Sequence, residues 1–346
     1  MGPSLRTHVE AVLPELGPSL VPAHARTRVL AVAEKLPPLS LGGVECRLGP
    51  HESQVDLQVH LPRLRSADTV RDAFRGAPIG EDAFHRWLTA APEIAKTLPG
   101  VWLEYDLVGG AEGRGTTSGG EPLPNPSLFF EVEGEAGCPR GLAGPATIVQ
   151  RLGLAEGRLL GPFTEVLSAL PIDSLVTHVG VMSGRPDRAV CLRVTALSLD
   201  HVTGLCRDFV ALDRAGEEEV SDLLSRVDSV TVLLSLGEDR ARIGIECFLR
   251  QPPAQADGGW TALLAHLGQH GLCTAEKARE MALWPGVQRA APSRERLETP
   301  GPAPLPGLSL PGYIRRSVNH MKVVVSERGP TMAKAYLCFR HLWLRA

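Results

Sequence analysis

The chain contains 346 residues with a formal net charge of −3, and 43% of its residues are apolar. A chain of this length and apolar content can bury a large core, and residues 1–346 are interpreted as a single domain. The slightly negative charge provides no general attraction for nucleic acid, and no apolar run reaches the roughly 18 residues of a membrane span, so we expect neither partner.

The predicted elements begin with a helical segment over residues 1–40, whose sequence lacks the apolar core of a signal peptide. Five β-hairpins follow, at 43–48 with 53–61, 101–108 with 127–133, 177–183 with 188–197, 229–236 with 241–249, and 318–325 with 334–341. Helices are predicted between the hairpins, at 66–76, 81–97, parts of 145–170, 199–211, 216–227, 258–270 and 274–284.

Two segments read as irregular. A Gly-rich connection covers residues 109–126 inside the second hairpin, and a long Pro-rich loop covers residues 285–312. Both are longer and more polar than compact turns. Each is interpreted either as a lid at the mouth of a cavity or as a disordered excursion.

The strands of all five hairpins place polar or charged side chains on one face and apolar side chains on the other, because side chains alternate along a strand with period two. In VDLQVHL, for example, Val55 and Leu57 face one way and Asp56 faces the other. Helices that cover the apolar faces would direct the polar faces away from the helices and towards one another.

This pattern predicts an α+β fold, a ten-stranded antiparallel β-barrel of five ββ units with helices outside and a polar lumen. An open antiparallel sheet with one solvated face gives the same alternation and is the alternative. Large side chains among the charges are typical of a binding cavity rather than of a solvated face. Four such residues are Trp102, Phe129, Phe248 and Tyr336.

Motif searches are largely negative. The seven cysteines lack CxxC spacing, which favours a reduced, cytoplasmic protein with buried thiols. No His/Cys pair with ligand-like local spacing is identified, so no metal site is predicted. No nucleotide-binding loop, nucleophile elbow or DDxxD-like cluster is present, so we expect no cofactor; Mg²⁺ is compatible with the sequence but required by none of its motifs.

Five ββ units with interleaved helices resemble the prenyltransferase barrel, the ABBA architecture of soluble aromatic prenyltransferases. WLEYDLV followed by PSLFFEVE is similar to early strands of these enzymes, where a Glu faces the acceptor. KAYLCF is similar to their Lys-x-Tyr strand, and NHMKVVV and AVCLRVT place a cation inside a strand. The cyanobactin-type peptide prenyltransferases resemble the chain most. The chain departs from the family in having only three tyrosines.

The resemblance implies transfer of an allylic prenyl group from a prenyl diphosphate to an electron-rich acceptor, an aromatic small molecule or a peptide side chain, inside a monomeric barrel. Glu104 would act as the acid/base residue, and Trp102, Phe129, Phe248 and Tyr336 would line the prenyl and acceptor pocket. The diphosphate would be bound by Arg193, Arg242, Lys322, Lys334 and Arg340.

Each assignment has an alternative. A lumen cation can instead form an ion pair with an inward carboxylate such as Asp56 or Glu246, and Glu104 can be the partner of a cation such as Arg47. The aromatic residues can be ordinary cavity packing. The corresponding alternative function is a non-catalytic or accessory barrel that binds a peptide or an anionic ligand.

Overall fold

The structure is a computed structural model, and all statements below concern the residues that it describes: 4–62, 99–107, 124–132, 145, 148–150, 160–182, 189–195, 197–237, 241–249, 258–290 and 312–343. The predicted helices at 66–76 and 81–97 lie outside these residues. So do residues 109–123 of the predicted Gly-rich connection and residues 291–311 of the predicted Pro-rich loop.

Eleven antiparallel strands form one sheet in the described part of the chain. They are β1 (Leu41–Arg47), β2 (Val55–Pro62), β3 (Gly100–Leu107), β4 (Ser127–Glu131), β5 (Leu175–Val181), β6 (Val190–Thr195), β7 (Ser229–Leu236), β8 (Ala241–Phe248), β9 (Gly286–Arg289), β10 (Gly312–Ser326) and β11 (Gly329–Trp343). Strands β1 to β8 pair in chain order, β10 follows β8, and β11 pairs with both β10 and β1. The sheet therefore closes into a ten-stranded antiparallel barrel.

The predicted α+β barrel is confirmed, and its five hairpins are β1/β2, β3/β4, β5/β6, β7/β8 and β10/β11. The last hairpin is longer than predicted. Its two strands continue to a tight turn in which Gly329 adopts a φ of 105°, a conformation that favours glycine. Closure satisfies the backbone groups that an open sheet would leave unpaired at its edges.

The segment 285–312 does not begin as an irregular loop. Residues Gly286–Arg289 form β9, which pairs with Tyr313–Arg316 of β10 outside the closed circle of strands. The prolines that made this segment look irregular lie on either side of the four-residue strand, so they do not remove any of its hydrogen-bond donors.

The described helices are α1 (Leu5–Val12), α2 (Ala23–Lys35), α3 (Leu160–Ala169), α4 (Leu199–Val210), α5 (Arg214–Leu224), α6 (Gly258–Gln269) and α7 (Ala275–Leu283), with a 3-10 turn at Leu13–Glu15. Side-chain caps explain several starts: Ser198 accepts from the His201 amide, Asp213 from Gly216 and Thr274 from Lys277. None of the described helices has both the length and the hydropathy needed to cross a membrane.

The core lies between the outer face of the barrel and the helices. Outward-facing strand residues such as Leu57, Leu103 and Phe130 are fully buried there, together with Leu5 of α1 and Phe163 of α3. Each buried side chain of this kind contributes about 1.5–3 kcal/mol relative to exposure. Because this layer takes the apolar faces of the strands, the polar faces line the lumen.

Candidate functional site in the barrel lumen

The strand register brings lumen side chains together from strands that are distant in sequence. Residues directly opposite one another on antiparallel strands project from the same face. Glu45 of β1 lies opposite Asp56 of β2, and Gln58 of β2 lies opposite Glu104 of β3. One side of the lumen is consequently rich in carboxylates.

Three of these carboxylates, those of Glu45, Asp56 and Glu104, form a buried cluster whose nearest oxygens all lie within 4.8 Å of one another. Burial raises the pKa of Asp56 to about 7, and the charges of Glu45 and Glu104 add to the effect. Asp56 also accepts hydrogen bonds from the Leu107 amide at 3.0 Å and from Gln54. Near neutral pH this cluster can therefore hold a proton.

Lys334 and Lys322 form the positive side of the same region. They lie opposite each other on β11 and β10, and their exposed fractions are 4% and 7%. Lys334 forms an ion pair with Glu45. Burial opposes ionisation of Glu45, but the ammonium groups of Lys334 and Lys322 lower the pKa of Glu45 below its ordinary value.

Lys322 is arranged differently from Lys334. Its Nζ donates to the hydroxyl oxygen of Tyr336 at 3.1 Å. Among the described residues, no carboxylate oxygen lies within 4.0 Å of this ammonium. Two like charges directly opposite each other on a sheet are destabilising. On its other side Lys322 lies opposite Glu246 of β8, although the two side chains form no ion pair. Lys322 is thus a buried cation between one like and one opposite charge, and its remaining donors can bind an anion.

Arg193 belongs to a second polar group on the same wall. Its Nε donates to Glu246 at 2.6 Å, and its Cζ lies 5.6 Å from the ring centroid of Phe248. His320 stacks on Tyr336 with ring centroids 4.0 Å apart, and burial lowers the pKa of His320 to about 4. Arg193 therefore has the carboxylate partner that the alternative interpretation foresaw, and His320 is neutral.

Glu104 is buried on the lumen face of β3, where its Oε2 accepts from Nε2 of Gln58 at 2.8 Å. Nearby on the same strand, Trp102 donates through Nε1 to Glu131 at 3.0 Å. His60 is 3.1 Å from the same carboxylate, and its hydrogen bond contributes most to lowering the pKa of Glu131. Trp102 is thus held by a specific polar contact as well as by packing.

A small apolar patch separates from the main core and lies on the lumen side of the sheet. Met182, Cys191 and Leu233 form it, and Phe129 packs against it. Gly180 lies opposite both Phe129 and Cys191, and a Cβ there would be 2.5 Å from Cδ1 of Phe129. The absence of a side chain at Gly180 makes room for the Phe129 ring.

The structure brings together only part of the predicted site. Glu104, Lys322, Lys334 and Tyr336 are buried in the lumen, whereas Trp102, Phe129, Arg193 and Phe248 are half-buried. Arg242 and Arg340 are not brought to the lysine pair. Both are exposed, Arg242 beside the end of β10 and Arg340 opposite Arg315 near its beginning, so they lie towards opposite ends of the barrel.

Sequence reasoning missed the acidic cluster and the apolar patch as units. Strand alternation already placed Asp56 on the polar face, and the same alternation puts Glu45 beside Arg47 on that face. Burial raises the pKa of the Cys247 and Cys338 thiols to about 12, which argues against either being a nucleophile.

No known protein-family model and no curated protein sequence matches this chain.

Proposed function

We propose that the barrel lumen transfers an allylic prenyl group from a prenyl diphosphate to an electron-rich acceptor, as its resemblance to the prenyltransferase barrel implies. The observation that carries this proposal is Lys322, a buried ammonium that lies between Lys334 and Glu246 on the neighbouring strands but has no carboxylate in direct contact among the described residues. A dianionic or trianionic group is the ligand that such a pair favours.

The proposed donor site uses Lys322 and Lys334 for the diphosphate. When the carbon–oxygen bond of an allylic diphosphate breaks, negative charge grows on the leaving group. Preorganised cations in a lumen from which water is largely excluded stabilise that charge, and one such donor contributes ~2.7–4 kcal/mol. Lys334 would be shared with Glu45, and Arg193 would remain with Glu246 unless the donor displaces the carboxylate.

The proposed prenyl site uses neutral, polarisable side chains. The stacked rings of His320 and Tyr336, with Phe248 at 5.1 Å from His320, offer faces that stabilise a carbocation and exclude water. The patch of Phe129, Met182, Cys191 and Leu233 offers an apolar surface for the hydrocarbon chain.

The proposed acceptor site lies at Glu104. Its carboxylate can accept a hydrogen bond from an indole N–H or a phenol O–H, which increases electron density on the ring. The proton lost after bond formation then has a receiving group in the cluster of Glu45, Asp56 and Glu104. Ser127, which lies opposite Glu104, also has a buried Oγ without a hydrogen-bond partner among the described residues, so it is available to a ligand.

The test is incubation of the protein with dimethylallyl, geranyl and farnesyl diphosphates and with aromatic and peptide acceptors, following diphosphate release and product mass. We expect turnover in wild type, a large loss in Lys322→Ala and little change in Arg242→Ala, which alters an exposed cation. Turnover with and without a chelator shows whether Mg²⁺ is needed. Absence of turnover with every donor, or an unchanged rate in Lys322→Ala, would overturn the proposal.

The second candidate is an accessory barrel that binds a peptide or an anionic ligand without chemistry. The pairing of Lys334 with Glu45 and of Arg193 with Glu246 favours it, because paired cations have less capacity to stabilise a leaving group. Calorimetric binding of a diphosphate that is recovered intact would support this function over catalysis.

All six described cysteines are free and buried, which supports our placing the protein in a reducing, cytoplasmic compartment.

A further inference from the structure

A group of side chains outside the barrel has a different chemistry from the lumen. His266 lies on α6, His270 follows the end of that helix, and Asp222 lies on α5. One ligand atom from each of the three lies within 4.8 Å of the others. The amide of His270 donates to the carbonyl of His266 at 3.3 Å, so the two imidazoles are one helical turn apart on the same side.

His266 provides a second observation that points to a ligand. Its exposed fraction is only 5%, yet Nδ1 has no hydrogen-bond partner among the described residues. Nδ1 nevertheless points towards Asp222, because it lies 3.3 Å from Oδ2 of that residue. A buried polar nitrogen that makes no hydrogen bond is destabilising, and coordination of a cation between Nδ1 and Oδ2 would satisfy it.

We propose that Asp222, His266 and His270 bind a zinc ion that bridges α5 and α6. Two imidazole nitrogens and one carboxylate oxygen are a common ligand set for zinc, with a fourth position filled by water. Tetrahedral ligands at about 2.0–2.1 Å from zinc are about 3.3 Å apart, so the three donors need only a small inward movement. Asp222 and His270 are exposed, which gives the ion and its water access from solvent.

One charged group beside the site, Arg226, would compete with a metal ion for Asp222. Nη2 of Arg226 donates to both carboxylate oxygens of Asp222, at 3.0 and 3.2 Å. Zinc therefore has to draw Asp222 from Arg226, and removal of Arg226 should strengthen binding.

The ion would connect two parts of the helical layer that belong to different hairpin units. Helix α5 precedes β7, and α6 follows β8. The lumen residues lie on the other face of the sheet, so zinc binding should alter stability without altering ligand binding in the lumen. This separates the zinc proposal from the proposed prenyl transfer, and either can fail without the other.

The test uses the full chain, without an affinity tag and stripped of metal, and zinc ions as the probe. We expect calorimetry to show a single zinc ion bound per chain, with an unfolding temperature that rises with zinc concentration. His270→Ala and Asp222→Asn should each weaken binding by more than about 10-fold, since even outer-shell changes at metal sites have effects of this size. His24→Ala, at an exposed helical histidine, is the matched control and should bind as wild type.

Arg226→Ala provides the sharper readout, because only a site that uses Asp222 should bind zinc more tightly when this arginine is removed. Cobalt substitution should give the absorption bands of a tetrahedral complex in wild type and lose them in His270→Ala. Equal zinc affinity in wild type, His270→Ala and Asp222→Asn would overturn the proposal. So would zinc binding that leaves the unfolding temperature unchanged.

Discussion

Lys334 and Glu45 form a buried ion pair across the seam where the last strand of the barrel meets the first. Lys334 belongs to β11 and Glu45 to β1, so the pair connects residues from the two ends of the sheet. Both groups are buried, and a buried charge without a partner is strongly destabilising. The two charges must therefore neutralise each other if the barrel is to close with these side chains in its lumen.

Glu45→Gln should destabilise the fold, because it leaves the ammonium of Lys334 buried without its partner. Removal of one member of a buried pair costs ~3–5 kcal/mol. Denaturant unfolding of the variant measures this loss. The double variant Glu45→Gln/Lys334→Met removes both charges and should recover much of the stability. A Glu45→Gln protein as stable as wild type would contradict a stabilising role for the pair.

Asp56 should make stability fall as pH rises towards neutrality. Its pKa is raised from 3.8 in the unfolded chain to about 7 in the folded protein, so the folded state binds more protons between these values. The linked change is up to about 1.4 kcal/mol per pH unit for one proton. Asp56→Asn keeps an oxygen that can accept from the Leu107 amide, and it should be more stable than wild type above pH 7. Equal pH dependence in the two proteins would show that another group titrates.

Lys322→Met should separate stability from activity. The substitution removes a buried charge that has no directly contacting carboxylate among the described residues and keeps a similar volume, so we expect a smaller loss of stability than in Glu45→Gln. Loss of a preorganised cation should lower the turnover of a diphosphate donor by ~10²–10³-fold. Chemical denaturation and single-turnover kinetics on the same preparation check both. A strongly destabilised Lys322→Met with normal turnover per folded molecule would make Lys322 structural.

Glu104→Gln should preserve donor binding and lower the rate of transfer by ~10²–10⁴-fold, the usual contribution of general acid–base assistance. The amide is similar in size to the carboxylate and can still hydrogen bond to Gln58. Donor affinity, turnover and melting temperature are measured together. A lower melting temperature with an unchanged rate would mean that Glu104 is a structural partner, and it would favour the accessory-barrel function.

Gly180→Ala should destabilise the protein by ~1–3 kcal/mol, because the new methyl group overpacks the lumen wall. Its Cβ would lie 2.5 Å from the Phe129 ring and 2.7 Å from the Leu128 carbonyl oxygen, and a backbone atom cannot easily move aside. Gly204→Ala is the matched control, since a Cβ there meets nothing within 4 Å on helix α4. The control should be stabilised by ~0.5–1 kcal/mol. Unfolding free energies compare the two, and similar values would exclude a steric role for Gly180.

Much of the architecture was determined by local patterning that can be read from the sequence. Alternation within each strand assigns residues such as Leu57 to the helix side and Asp56 to the lumen, because this depends only on the period of a strand. All five hairpins show this pattern. If helices cover every apolar face, the five polar faces are left to surround one lumen, and this arrangement predicts that the sheet closes into a barrel. The spacing of His266 and His270 was equally readable, although it was not identified as ligand-like.

Tertiary structure alone decided which charges meet. Lys334 contacts Glu45 only because β11 pairs with β1, and Asp56 joins Glu104 only because β2 pairs with β3 in a particular register. A sequence shows the sign of each side chain but not its distance from another, and electrostatic energies depend on that distance and on burial. For this reason the two lysines that were expected to bind diphosphate differ. Lys334 is paired with Glu45, whereas Lys322 has no directly contacting carboxylate in the described part of the chain.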